Sequence, residues 1–162
     1  MTMPLNPETF RALLRQQAAT VAVVTAPGAP PVGFTATSFT SVSLRPLLVS
    51  FCLNRSSSSW PTMAQAEHVG VHLLGEGQHE AARTFATSGI DRFAAHADWR
   101  PGPYEVPLLN SPIAWLVGRV AERIPAGDHV IVLVEALRGQ HTGDGAPLLY
   151  HKGQYAAVHP SP

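Results

Sequence analysis

Eight histidines, one cysteine and an unusual run of hydroxyls are the side chains with which this chain of 162 residues could do chemistry. His68 and His72 stand four apart, on one face of a strand or helix, but no thiolate accompanies them. A metal site needs three or four converging ligands, so they are read as two half-exposed strand histidines. Ser, His and Asp are all present without a Gly-x-Ser-x-Gly elbow, which disfavours nucleophilic catalysis. Cys52 sits inside the apolar run Leu47 to Leu53, where a thiol is usually inert packing. Paired carboxylates at a useful spacing are absent. What remains can hold a ligand but has no acid–base dyad with which to attack one.

Four segments have that holding character. Between Arg15 and Arg45, 29 consecutive residues carry no Asp, Glu, Lys or Arg, and Thr35, Thr37, Ser38, Thr40, Ser41 and Ser43 put six hydroxyls within nine residues. Such a stretch suits a neutral, hydrogen-bonding partner or strands at a subunit interface. An ordinary Thr/Ser-rich strand pair accounts for it equally well, since Thr favours strands. Asn54 to Ser59 lead into Trp60-Pro61, a strand-to-helix junction whose amides and hydroxyls attract anions. Arg92, next to Phe93 and just after the Gly89 turn, can hold a phosphate through its planar fork or stand as a solvated arginine. Gly127-Asp128-His129 places a histidine directly before a strand, where a plain turn histidine is the alternative.

Composition narrows the classes of function. Eleven basic and eleven acidic residues sum to zero, and charged residues make up only 14% of the chain. A polyanion-binding surface is disfavoured, so no nucleic-acid partner is expected. One cysteine allows no internal disulfide and no cysteine-based zinc site, which points to a reducing, cytoplasmic setting. No basic segment followed by an apolar one opens the chain, and no run of about 18 apolar residues occurs. Neither secretion nor a membrane partner is expected. The length fits one domain, residues 1–162 with a core over about 8–158.

These segments need elements to position them. Asn6-Pro7-Glu8 predicts the start of a helix of about three turns reaching Ala18. Thr20 to Ala26 and Val32 to Thr37 read as a hairpin, the hydroxyl-rich stretch 35–43 as strand, and Leu47 to Leu53 as a central strand. A helix follows from Pro61 to about Ala66, a strand over 68–74, and a helix from about Gln78 to Thr87. Four prolines make Trp99 to Pro112 a loop. Ile113 to Arg123 and Val130 to Leu137 read as strands joined through Pro125 to Asp128, with a closing hairpin around Lys152-Gly153. Six or seven strands with two or three short helices predict a mainly β, antiparallel barrel. No Gly-x-Gly-x-x-Gly follows a strand, so a Rossmann site is not supported.

Taken in order, the segments resemble one family. Gly33-Phe34-Thr35-Ala36-Thr37-Ser38-Phe39-Thr40-Ser41-Val42-Ser43-Leu44-Arg45-Pro46 resembles the signature of the flavin reductase-like, FMN-binding split-barrel proteins. Asn54 to Pro61, Phe85 to Phe93, Gly127-Asp128-His129 and Leu148 to Tyr155 are similar to further segments of that family. The likeness spans about residues 8 to 158 and departs at Thr37, Leu47 and Ser111-Pro112.

The resemblance implies a split β-barrel homodimer that binds FMN or FAD, reduces it with NADH or NADPH, and supplies reduced flavin to a partner monooxygenase. It implies that Thr35, Ala36, Thr37 and Ser38 line the isoalloxazine, with Ser41, Val42 and Ser43 extending that wall. Ser57, Ser58, Ser59 and Arg92, beside Phe93, would hold the phosphate end, and Cys52 and Asn54 would complete the pocket. His129 would lie near the nicotinamide and Tyr155 near the open side of the ring. Hydride transfer between two cofactors explains the missing acid–base dyad, because the protein supplies position and electrostatics. A flavin-binding module without nicotinamide oxidation, or a reductase of a corrinoid or an iron chelate, are the alternatives. For a 2′-phosphate, Arg11, Arg15, Arg83 and Arg123 are all available.

Overall fold

The computed structural model describes Thr2 and residues 4–162. Its first element follows from a reciprocal cap. The Asn6 side chain accepts the Thr9 N–H at 2.9 Å, the Thr9 hydroxyl accepts the Asn6 N–H at 2.9 Å, and Pro7 opens helix α1 (Pro7–Leu14). The helix is shorter than expected: it is capped at Arg15, and Ala18 lies beyond it. None of its side chains is buried, so no tertiary packing favours a further turn.

The apolar run over 20–26 divides at Val21. Strand β1 (Ala19–Thr20) joins a small sheet, and β2 (Ala22–Ala26) enters a large one. All of β2 is buried because its two faces meet different clusters. Ala22, Val24 and Ala26 pack with Phe34, Phe51 and Val132, whereas Val21 and Val23 pack with Leu74, Phe85 and Leu109. As expected, β2 forms a hairpin with β3 (Val32–Ala36).

The hydroxyl-rich stretch is two strands, not one. β3 stops at Ala36, residues 37–39 cross over, and β4 (Thr40–Leu44) pairs instead with β5 (Leu47–Asn54). β5 is second from the edge rather than central. It buries Val49, Phe51 and Leu53 on one face only, so its near-continuous apolar run overstates its burial.

The remaining strands are built around two long neighbours. After one-turn helix α2 (Trp60–Met63), β6 (His68–Leu73) runs into the sheet, followed by helices α3 (His79–Thr84) and α4 (Arg92–Ala95). The expected loop at 99–112 contains a small ladder, β7 (Trp99–Pro101) against β8 (Pro107–Leu109), with Pro101 opposite Pro107 at its end, where a missing N–H is tolerated. β9 (Ala114–Ala126) and β10 (His129–His141) form a 13-residue hairpin that takes Pro125 into the ladder and leaves only Gly127-Asp128 as the turn. Gly127 has φ +62, a conformation that glycine takes without strain. β11 (Leu148–His151) and β12 (Gln154–Ala157) make the expected closing hairpin, and β11 also pairs with β1.

The described residues thus hold twelve strands, four short α-helices and a 3-10 turn at Pro103–Glu105, more than expected, the surplus being short pieces. The large sheet runs β3-β2-β6-β9-β10-β5-β4, antiparallel throughout. It curls until β3 meets β5, with the Phe34 and Phe51 rings 5.8 Å apart, yet no ladder closes the seam. This is the expected antiparallel barrel, split along one line.

The reading of His72 as half-exposed is overturned. It is fully buried, donating through Nδ1 to the Val23 carbonyl at 2.9 Å and accepting the Leu109 N–H at Nε2 at 3.1 Å. His68 stacks on Tyr104 with ring centroids 3.9 Å apart. Among the described residues, no three metal-ligating side chains converge.

Candidate functional site

The seam of the barrel is where polar backbone is left over. On its outer side β3 has no strand neighbour among the described residues, and β5 loses β4 beyond Ser50. Two unpaired edges therefore face each other, each with main-chain donors and acceptors that need partners. Ser38 bridges them in part, its hydroxyl accepting the Cys52 N–H at 2.8 Å. The Thr35 N–H is taken by the Phe85 carbonyl at 3.1 Å and its hydroxyl donates to the Ala82 carbonyl at 2.6 Å, so Thr35 anchors the segment after α3. The cleft along the seam measures about 380 Å³. No carboxylate lines it, and Arg92 and His129 are its cationic or titratable walls.

Arg92 is held from behind. Its Nε donates to the Thr87 carbonyl at 3.0 Å and Nη1 to the Gly33 carbonyl at 2.7 Å. Two of a guanidinium's five donors are spent in this way, leaving three for a ligand. Asp91 caps α4 by accepting the Ala94 N–H at 3.1 Å, which fixes the backbone from which Arg92 projects. Partial burial pulls the guanidinium below its ordinary pKa. Arg92 also lines a second depression of about 300 Å³ with Ser58, Ser59, Gly33 and Phe93, so the two hollows meet at this side chain. Ser59 is buried and directs its hydroxyl at the Gly33 carbonyl at 3.4 Å, whereas Ser58 is exposed.

His129 stands at the opposite wall, placed there by a turn clamped to the end of β5. The Arg55 N–H donates to the Asp128 carbonyl at 3.1 Å, and the Arg55 side chain reaches the Gly127 carbonyl. The Asp128 carboxylate lies 2.7 Å from His129 Nδ1. A carboxylate only accepts, so Nδ1 carries the proton and Nε2 is left for a ligand. The same hydrogen bond holds the Asp128 carboxyl below its ordinary pKa. Asn54, paired with His129 across the ladder, spends its side-chain oxygen on the Ser56 N–H at 2.8 Å and keeps its amide N–H groups.

Thr35, Ala36, Thr37, Ser38, Cys52 and Asn54 therefore share one cleft with Ser57, Arg92 and His129. Ser58, Ser59 and Phe93 border the adjoining depression, where Phe93 is mainly core, edge-on to Phe85 at 5.2 Å. Ser41, Val42 and Ser43 do not join them. They lie on the edge strand β4, with Val42 52% exposed. Tyr155 also lies elsewhere, packed against Tyr150 and under Arg83, and burial raises its pKa. The residue reading missed Phe85 and Ala86 as cleft walls, and Pro30, Pro31 and Ile90 around the depression. Pro30 and Pro31 lie in the loop between β2 and β3, and Phe85, Ala86 and Ile90 follow α3, so only the fold brings the two groups to these walls.

Known proteins resemble this chain over most of its length. The flavin reductase like domain model matches residues 14–159. The NADH:FMN oxidoreductase of Rhodococcus erythropolis is 44% identical over 151 residues, 90% of this chain and 79% of that one. The reductase subunit of a flavin-dependent monooxygenase from Mycobacterium tuberculosis is 33% identical over 163 residues, 99% of this chain and 87% of its own. The solved structure of the NADH:FAD oxidoreductase of Streptomyces globisporus, in complex with NAD and FAD fragments, has a TM-score of 0.91 at 30% identity, covering 98% of each chain.

Proposed function

Because this chain belongs to the flavin reductase like family, we propose that it is an NAD(P)H-dependent flavin reductase, taking FMN or FAD as acceptor and supplying reduced flavin to a partner monooxygenase. The observation that carries the reading is the seam itself: an uncharged cleft between two unpaired strand edges, with one arginine at its border holding three donors in reserve. That donor set fits a flavin. A flat ring rich in carbonyl and imino groups matches leftover main-chain donors, and a terminal phosphate matches the Arg92 fork.

Bound together, the two cofactors supply the hydride donor and acceptor, and the protein's contribution is placement. Thr37, Ser38, Cys52 and Asn54 would line the ring, while Ser57, Ser58 and Arg92 would take the phosphate end. Main-chain donors left over on the two strand edges would stabilise negative charge on a reduced ring, as an oxyanion hole does. His129, with its tautomer set by Asp128, offers Nε2 to the nicotinamide partner. Fixing two planar groups at reacting distance can supply several kcal/mol, up to about 7–11 in well-aligned systems.

The active form is a homodimer. Phe10, Leu13 and Leu14 on α1 and Val42, Leu44 and Leu47 on the β4–β5 hairpin are all at least 44% exposed, two apolar groups that a solitary chain would leave in water. A second copy covers the hairpin group, and Ser41 to Ser43 then belong to the interface. No helix of the described residues is long and apolar enough to cross a membrane. We place the protein in the cytoplasm, where reduced nicotinamide nucleotides are available.

The test is steady-state oxidation of NADH and NADPH with added FMN or FAD. Turnover well above the flavin-only background supports the reading. Tight flavin binding without turnover replaces it with a storage or shuttle module.

A further inference from the structure

Arg92 projects from a helix that cannot hold itself. α4 is a single turn, Arg92–Ala95, capped in front by Asp91 and closed behind by the His96 N–H on the Arg92 carbonyl at 2.9 Å. So short a helix has no stability of its own in water, and tertiary packing must fix it. Phe93 is its one buried residue. The aim of the guanidinium therefore depends on what holds the Phe93 ring.

Two aromatic side chains hold it. Phe85 and Trp99 each meet the Phe93 ring edge-on, with centroids 5.2 Å apart. Phe85 belongs to the wall of the cleft. Trp99 lines neither the cleft nor the depression beside it, and it opens β7, only three residues after α4. That strand pairs with β8 alone, and no ladder among the described residues joins the two to the barrel.

Side chains of the central strands dock the β7–β8 hairpin instead. The Thr25 hydroxyl on β2 donates to the Pro107 carbonyl at 2.7 Å, and His72 on β6 accepts the Leu109 N–H at 3.1 Å. Leu109 stands opposite Trp99 in the hairpin and packs in the same cluster as Phe85 and Phe93. Asp98, just before Trp99, accepts the Asn110 side-chain amide at 2.8 Å and, at its carbonyl, the Asn110 N–H at 3.1 Å. Trp99 is thus anchored to the barrel from outside the cleft, and close packing passes that anchorage on to Phe93.

We propose that Trp99 is a positioning residue for the phosphate site: acting through Phe93, it fixes the turn of helix from which Arg92 reaches the flavin phosphate. The inference rests on the flavin reductase reading and deepens it, naming a residue outside the cleft that governs the preference for phosphorylated flavin over riboflavin. Without the indole, Phe93 loses one of its two aromatic neighbours, α4 loosens, and the free donors of Arg92 no longer converge on one place. The ring end of the cleft, built from residues 36–38 and β5, keeps its own supports.

The experiment is titration of the full chain with FMN and with riboflavin, unaltered and as Trp99→Ala, Trp99→Phe, Arg92→Lys and the Trp99→Ala/Arg92→Lys pair. Trp99→Ala raises the Kd for FMN about tenfold and moves that for riboflavin by less than about twofold. Trp99→Phe restores most of the FMN affinity, and in the Arg92→Lys background Trp99→Ala weakens FMN no further, because both changes act on one interaction. Equal weakening of FMN and riboflavin, or effects that multiply in the double variant, overturn the proposal and make Trp99 a plain part of the core. A second measurement needs no variant to fold. Coupling between binding and the hairpin is reciprocal, so on the unaltered chain FMN slows amide hydrogen exchange over residues 98–110 and riboflavin does not. Equal protection by both, or by neither, overturns the proposal as well. Failure of FMN to bind the unaltered chain at all would instead strike the flavin reductase reading.

Discussion

His72 makes the stability of this fold depend on pH through a single ring. The imidazole on β6 is satisfied in one neutral tautomer, with Nδ1–H on the Val23 carbonyl and Nε2 on the Leu109 amide. A proton on Nε2 would turn a second donor against the Leu109 N–H. Burial lowers its pKa from 6.5 to about 4, against the opposing pull of the Val23 carbonyl and with a smaller push from Arg100. The folded protein therefore declines a proton that the unfolded chain accepts below pH 6.5. The contribution is complete above that value, falls as pH drops from 6.5 toward 4, and levels off below. A span of about 2.5 pH units at ~1.36 kcal/mol per unit is roughly 3 kcal/mol. That is a large share of the ~5–15 kcal/mol by which a domain is stable. The assay is urea unfolding across this pH range for the unaltered protein and His72→Gln, whose amide keeps one donor and one acceptor without titrating. The unaltered protein should lose about 3 kcal/mol more than the variant on acidification. Parallel curves would refute the argument, whatever the offset between them.

Three substitutions probe the site. In Gly33→Ala the new Cβ would lie 2.9 Å from the Phe85 ring and 3.3 Å from Phe93. Thermal unfolding should show about 1–3 kcal/mol lost to overpacking, and an unshifted Tm would contradict the tightness of that contact. Arg92→Lys removes the fork that holds the Thr87 and Gly33 carbonyls. FMN titration should show roughly a 10- to 100-fold weaker Kd with riboflavin little affected, and equal weakening of both would take Arg92 off the phosphate. His129→Ala should raise the KM for NADH while the Kd for FMN stays put. An unchanged KM would remove His129 from the nicotinamide side.

How far the sequence revealed this arrangement depended on the range over which each signal acts. Local chemistry was legible. The Asn6 cap, the β2–β3 hairpin and the Lys152-Gly153 turn are each specified within a few residues and stand where expected. Burial on two faces was not. The apolar runs of β2 and β5 look alike, yet β2 lies between two clusters and β5 faces only one, a difference created by sheet order. The same limit hid His72, whose partners Val23 and Leu109 are 49 and 37 residues away.

The site shows the same division with a functional consequence. Hydroxyl and amide content along 35–43 marked a polar wall, but the crossover at 37–39 decides that Thr35 to Ser38 face the seam while Thr40 to Ser43 lie outward on β4. Arg92 reads locally as a solvated cation. Only the fold shows that Thr87 and Gly33 hold it from behind, so that on the proposed reading it is a directed phosphate ligand instead of a mobile charge. Gly33 joins the two requirements. Its carbonyl takes the Arg92 and Ser59 donors, while its missing side chain lets the Phe85 ring close against β3. A residue without chemistry of its own therefore sets both the packing behind the cleft and the aim of its one fixed cation.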